Sequence, residues 1–160
     1  MAGFVEATAV RNDGVHDRAL IDPDLFIWGP FGGYLAALAM RAMAAQSAFD
    51  KPATFSCQYL NVGKAGTERV EVEFLKRGRA AECLRATLRQ DGRPLLEAQS
   101  WIIADRLSGI EHDDGRAPFA TTPGELEDWH GFGEEAKSPI WHHIQRPRLP
   151  IPAVPQEALP

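Results

Sequence analysis

The chain has 160 residues, of which 44% are hydrophobic and 24% charged. That fits one globular domain with its own core and excludes a wholly disordered or fibrous chain. The formal charge is −5, from 17 basic and 22 acidic residues, which argues against nucleic acid or an anionic membrane as the main partner.

The charge and the prolines are unevenly placed. Residues 1–110 carry 13 acidic and 13 basic side chains, whereas residues 111–160 carry 9 and 4 and so hold the whole −5. Eight of the 12 prolines lie from Pro118 onward. The expected organisation is a domain over 1–106 and an acidic, proline-rich tail over 107–160.

The N-terminus has no basic start followed by an apolar run, so no secretory signal is read there. Phe4-Val5 and Arg18-Ala19-Leu20-Ile21 read as strand pieces around the turn signal Asn12-Asp13-Gly14. Asp22-Pro23-Asp24 is a second turn, and Leu25-Phe26-Ile27-Trp28 leads into Gly29-Pro30-Phe31-Gly32-Gly33.

Residues 33–49 read as a helix ended by Lys51-Pro52. The run is rich in Ala, Leu and Met and has no β-branched residue. It is apolar nearly all round, interrupted only by Arg41 and Gln46 before Ser47, so it needs cover on most faces. Its longest apolar stretch is too short to cross a bilayer.

Four alternating runs follow, at 54–60, 67–76, 82–90 and 95–104. The residues that share a face are Phe55, Cys57 and Tyr59; Val70, Val72 and Phe74; Leu84, Ala86 and Leu88; and Leu96, Ala98, Ser100 and Ile102. The breaks between them are short: Gly63–Gly66, Gly78-Arg79 and Asp91-Gly92-Arg93-Pro94. Long alternating strands with short links make an antiparallel meander. A meander plus one greasy helix predicts an α+β hot-dog architecture, a curved sheet wrapped around the helix.

From Leu107 the patterning stops. Yet the tail holds Phe119, Trp129, Phe132 and Trp141, and solvated linkers are poor in aromatics. Partial docking onto some surface is therefore expected.

Several side chains have the chemistry for a site. Phe31-Gly32-Gly33-Tyr34 opens the helix, where glycines admit close approach and the first N–H groups lack intrahelical partners. Those donors sit at the positive dipole end and suit an oxyanion, although a Gly-Gly pair also simply fits a tight turn. Asp22 and Asp24 are carboxylates near the helix start, but turn formation around Pro23 explains them better. Gln58 could bond a thioester or water, though exposed strand glutamines are common. Arg77 and Arg79 flank Gly78 and suit phosphate as well as they suit a solvated turn. Trp28, Phe31 and Tyr34 are candidates to line an apolar channel. Cys57 and Cys83 are the only cysteines, and no histidine occurs between His16 and His112. Packing thiols in a reducing cytoplasm are thus expected, with no metal or cofactor. His142-His143 is adjacent rather than at ligand spacing.

Trp28-Gly29-Pro30-Phe31-Gly32-Gly33-Tyr34-Leu35-Ala36-Ala37-Leu38 resembles the start of the central helix in acyl-CoA thioesterase II-like double hot-dog proteins. Val70-Glu71-Val72-Glu73-Phe74-Leu75-Lys76-Arg77-Gly78-Arg79 and the hairpin from Leu84 to Leu96 are similar to later strands of that family. The resemblance covers about residues 15–104. It implies an N-terminal hot-dog half, with a catalytic carboxylate contributed mainly by a second half that this chain does not reach. It also implies an acyl-CoA ligand placed at the Gly32–Gly33 helix start, with Gly33 as a backbone oxyanion donor. Trp28, Phe31, Gly32, Gly33, Tyr34, Gln58, Arg77 and Arg79 are the substrate-binding candidates. Single hot-dog thioesterases with a His-Gly-Gly start carry an aspartate about two turns into the helix; here Met40 and Phe31 stand at those places, and neither moves a proton. Two readings follow: a thioester hydrolase, or a non-catalytic acyl-CoA-binding or assembly module. A hydratase fits less well, for want of a histidine near the helix. Pairing as a homodimer or with a separate second half is expected.

Overall fold

The computed structural model describes residues 4–12, 17–105, 109, 115 and 137–142. A short helix α1 (Phe4–Ala7) precedes strands β1 (Val10–Asn12) and β2 (Asp17–Ile21). A 3-10 turn at Pro23–Leu25 leads to the main helix α2 (Gly32–Gln46). Strands β3 (Lys51–Tyr59), β4 (Gly66–Arg77), β5 (Ala81–Gln90) and β6 (Arg93–Ile103) follow, and a second 3-10 turn spans Pro139–His142.

All six strands form one antiparallel sheet in the order β1-β2-β4-β5-β6-β3. Helix α2 packs across β4, β5 and β6. This is the hot-dog arrangement expected from the sequence.

Local chemistry explains the connections. Asp91 (φ 51°) and Gly92 (φ 78°) both take positive φ between Gln90 and Arg93, the two-residue turn that matches strand twist. Pro52 lies in β3, which is an edge strand; an edge tolerates the missing N–H, and the register shifts beside it. The helix therefore ends earlier than expected. Its C-cap is Ser47, whose amide bonds the Met43 carbonyl, and Lys51-Pro52 begins a strand. Glu82 holds this exit by accepting from the Ser47 hydroxyl (2.8 Å) and the Ala48 amide (2.9 Å).

The core joins the inward sets of β4, β5 and β6 to Tyr34, Leu35, Leu38, Ala39, Ala42 and Met43 of α2. Opposite them on the helix, Gly33 and Ala44 are exposed and Ala36, Ala37 and Met40 half-buried. Among the described residues the sheet thus covers one face of a largely apolar helix and leaves much of the other uncovered, although Met40 Sδ still meets the Ser100 hydroxyl. The outer face of the sheet is solvated and carries cross-strand ion pairs: Arg89–Glu71 at 3.0 Å and Arg85–Glu97 at 3.3 Å.

The tail docks in one described place. Ile140 is fully buried in the core cluster and Trp141 packs against it. The Ser138 hydroxyl donates to the Phe26 carbonyl. Phe119, Trp129 and Phe132 lie outside the described residues, as do most of the 107–160 tail and the Asp13-Gly14 turn.

Candidate ligand site at the helix start

The segment before α2 is built to present the helix N-terminus. The Asp22 carboxylate accepts from the Asp24 amide (3.0 Å) and caps the 3-10 turn, so Asp22 serves the turn, as its sequence context suggests. Phe26 and Pro30 form an antiparallel bridge, and the Phe31 amide bonds the Leu25 carbonyl at 2.9 Å. Phe31 is the N-cap in extended conformation, with no side-chain capping bond. Tyr34 donates the first amide bond of the helix, to the Phe31 carbonyl (3.0 Å). The Gly32 and Gly33 amides precede it at the positive end of the dipole.

Beside this start lies an apolar cavity of about 460 Å³. Trp28 and Pro30 contribute from the bend, Gly32 and Leu35 from the first helical turn, and Tyr59 to Gly63 from the end of β3 and the following loop. Glycine lets the walls approach closely where they meet. A Cβ on Gly32 would stand 3.1 Å from the Tyr59 ring, and one on Gly63 would stand 2.8 Å from Leu95 Cδ1. Four of the wall side chains are large exposed hydrophobics: Trp28 (83%), Tyr59, Leu60 and Val62. Exposed apolar residues gathered around one hollow mark a binding surface.

Of the expected site residues, Trp28 and Gly32 are in the wall. Gly33 is exposed at the helix start, and the Phe31 ring covers it, 3.0 Å from where a Cβ would be. Phe31 is half-buried and packs on the core.

Tyr34 is a correction: it is fully buried. Its hydroxyl donates to the Leu20 carbonyl, lies 3.0 Å from the Ala7 carbonyl and accepts from the Asp22 amide at 3.2 Å. Burial chiefly pushes its pKa up, so it remains a neutral core phenol that ties α1 and β2 to α2. Trp28 and Phe31 precede the helix, whereas Tyr34 lies in its first turn and on its core side.

Gln58 and the two arginines also sit elsewhere. Gln58 is exposed and pairs in register with Glu97, on the outer face away from α2. Arg77 and Arg79 are exposed at the β4–β5 turn, and the Arg77 guanidinium stacks 3.6 Å from the Phe74 ring centroid. That end of the sheet adjoins the helix C-terminus through Glu82. The 15-residue helix, at 1.5 Å per residue, separates it from the cavity by roughly 22 Å.

Tyr59 and the Leu60–Gly63 loop are the site residues that sequence reasoning missed. Alternation put Tyr59 on one face with Cys57, but strand pattern alone does not reveal that its ring reaches across to Gly32. Partial burial and the neighbouring Cys57 push the Tyr59 pKa up, so it is a neutral hydroxyl able to donate. Glu68 was missed too. It is 1% exposed, and neither carboxylate oxygen has a hydrogen-bond partner; burial raises its pKa to about 8. Alternation with Val70 shows it pointing inward, which was the available signal. Among the described residues no cluster of His, Cys, Asp or Glu could hold a metal, and no helix is long and apolar enough to cross a membrane.

Residues 23–103 match the sequence family described as acyl-CoA thioesterase N-terminal domain. No curated protein matches the chain. Among solved structures, a hot-dog protein of unknown function from Alicyclobacillus acidocaldarius superposes with TM-score 0.75 at 19% identity, over 86% of this chain and 53% of that one. A protein of Thermobifida fusca YX, proposed to be a thioesterase II, gives 0.69 at 25% identity over 81% and 49%. A Bacillus halodurans protein solved with CoA gives 0.52 at 18% identity over 60% and 71%. The chain spans about half the length of the first two.

Proposed function

The chain belongs to the acyl-CoA thioesterase N-terminal domain family, and from that premise we propose that it binds acyl-CoA thioesters and takes part in their hydrolysis. The observation that carries this is the apolar cavity of about 460 Å³ abutting an uncapped helix N-terminus. An acyl chain fills the cavity, and the thioester carbonyl lies toward the Gly32 and Gly33 amides. Hydrolysis requires water to attack that carbonyl carbon. The oxygen then takes negative charge, which amides at a helix start stabilise; the carbonyl reforms as the C–S bond breaks and the thiolate of CoA is protonated. The Tyr59 hydroxyl, beside Gly32, is a further donor. The structure with bound CoA from Bacillus halodurans supports the ligand class.

The cavity wall contains no carboxylate and no histidine, so its described residues supply no general base. We infer that a second hot-dog module brings the base, from another copy of this chain or a separate second half. The helix face of Gly33, Ala36 and Ala37 supports such cover, as does β3, an edge strand among the described residues. The same lack of a base favours a second reading, a module that binds acyl-CoA without turnover. The free thiols of Cys57 and Cys83 support work in a reducing cytoplasm.

Thiol release across acyl-CoA chain lengths, with calorimetry on the same ligands, tests this. Release with saturable binding supports the hydrolase; binding without release supports the binding module. Absence of both overturns the proposal. A monomeric mass by light scattering at micromolar concentration counts against pairing.

A further inference from the structure

Next to the apolar cavity is a small cleft of about 70 Å³, and Asn61 and Val62 stand in the walls of both. The cleft is walled further by Lys64, Gln90, Asp91 and Arg93. Its geometry is pinned rather than loose. Gln90 clamps the Lys64 backbone from both sides: its Oε1 accepts from the Lys64 amide (2.8 Å) and its Nε2 donates to the Lys64 carbonyl (2.9 Å). Asn61 donates through Nδ2 to the Pro94 carbonyl (2.7 Å) and accepts at Oδ1 from Arg93 Nη2 (3.0 Å). The Leu60 and Asn61 amides both bond the Leu95 carbonyl. The loop after β3 thus presents apolar side chains to the large cavity and Lys64 to the small cleft, where Arg93, the first residue of β6, joins it.

The two cations are placed for an anion. Neither Lys64 nor Arg93 makes an ion pair among the described residues, although Asp91 stands in the same wall. The guanidinium of Arg93 is oriented by a neutral amide, which leaves its charge for a ligand; such a planar donor fork suits phosphate oxygens. By contrast, Arg77 and Arg79 lie at the opposite end of the sheet.

We propose that the Lys64–Arg93 cleft is the phosphate subsite of this protein, holding the anionic end of a thioester whose acyl chain occupies the adjoining cavity. This rests on the acyl-CoA reading and assigns it a polarity: apolar chain under Trp28 and Val62, phosphates over Arg93 and Lys64. Asn61 is a positioning residue, because it acts through Arg93.

The test compares lauroyl-CoA with lauroyl-pantetheine, which lacks phosphate, by calorimetry on the full chain at two salt concentrations. The wild type is expected to bind lauroyl-CoA at least about tenfold more tightly, with the advantage shrinking at high salt. Lys64→Gln with Arg93→Gln is expected to abolish that advantage while leaving lauroyl-pantetheine affinity unchanged. Asp91→Asn is expected to increase the advantage, since it removes the one carboxylate beside the phosphates. Lys76→Gln, at the far end of β4, controls for net charge and is expected to change nothing. Equal affinity of the wild type for both thioesters overturns the subsite and leaves the acyl-binding reading standing. Binding of neither thioester overturns both. An equal loss of both ligands in the double variant, or the same loss in Lys76→Gln, also overturns the subsite.

Discussion

Glu68 makes the stability of this protein depend on pH in an uncommon direction. It sits on β4 opposite Ala19 of β2, 1% exposed, with both oxygens unpartnered. Among the described residues Tyr34 is a titratable group that feels its charge. An ionised carboxylate there loses its hydration and gains nothing in return. Its pKa accordingly rises from 4.5 to about 8. Between those values the folded state binds a proton that the unfolded state has released. Stability from this group is therefore fully present below about pH 4.5 and is lost as pH rises to about 8. At 1.36 kcal/mol per pKa unit, the shift corresponds to about 5 kcal/mol in all, of which about 3–4 kcal/mol disappears between pH 5 and 8. The perturbation is Glu68→Gln, which keeps the shape and removes the titration. Urea unfolding of both proteins at half-unit steps from pH 5 to 8.5 measures the difference. The wild type is expected to lose stability relative to the variant across this window, with the variant more stable at pH 8. Parallel profiles for the two proteins, or a wild type that gains on the variant as pH rises, would refute the reasoning.

Three more outcomes follow from packing. Ile140→Ala removes a fully buried side chain from the docked tail and is expected to cost about 2–5 kcal/mol in denaturant unfolding; an unchanged midpoint would mean the segment does not dock in solution. Tyr34→Phe leaves the Leu20 carbonyl and the Asp22 amide without their hydroxyl partner and is expected to cost about 1–3 kcal/mol, read as a lower Tm. Gly32→Val drives a side chain toward the Tyr59 ring, where even a Cβ meets atoms at 3.1 Å. It is expected to weaken acyl-CoA binding by about tenfold or more in calorimetry, and undiminished affinity would remove the cavity from the site.

Much of the fold was legible because its periods are clean. Val70, Leu84, Ala86, Leu88, Leu96, Ala98 and Ile102 alternate in sequence and are buried in the structure. The Asp91-Gly92 turn announced itself through residues that tolerate positive φ. The helix end was misread by three residues, because Pro52 looked like a helix stop. In fact Ser47 and Glu82 close the helix, and Glu82 is 35 residues away in sequence from the hydroxyl it accepts. The site was only half legible. Trp28 and Gly32 precede or open the helix and are local signals. Tyr59, Asn61 and Val62 join them only because β3 returns along the sheet edge to bring its end beside the helix start.

By itself the sequence determined which faces are apolar, where the chain turns, and that a buried helix begins at a glycine pair. Those are local quantities, set by side-chain period and backbone preference. The tertiary structure alone decided what stands next to that helix start. It put Tyr34 into the core and carried Arg77 and Arg79 to the far end of the sheet from the cavity. It also brought Lys64, in the loop after β3, and Arg93, the first residue of β6, to one cleft. Contacts between residues distant in sequence depend on strand order and register, and no window along the chain contains them. Length and charge suggest a patterned domain and an acidic tail; the burial of Ile140 shows that residue to be part of the core.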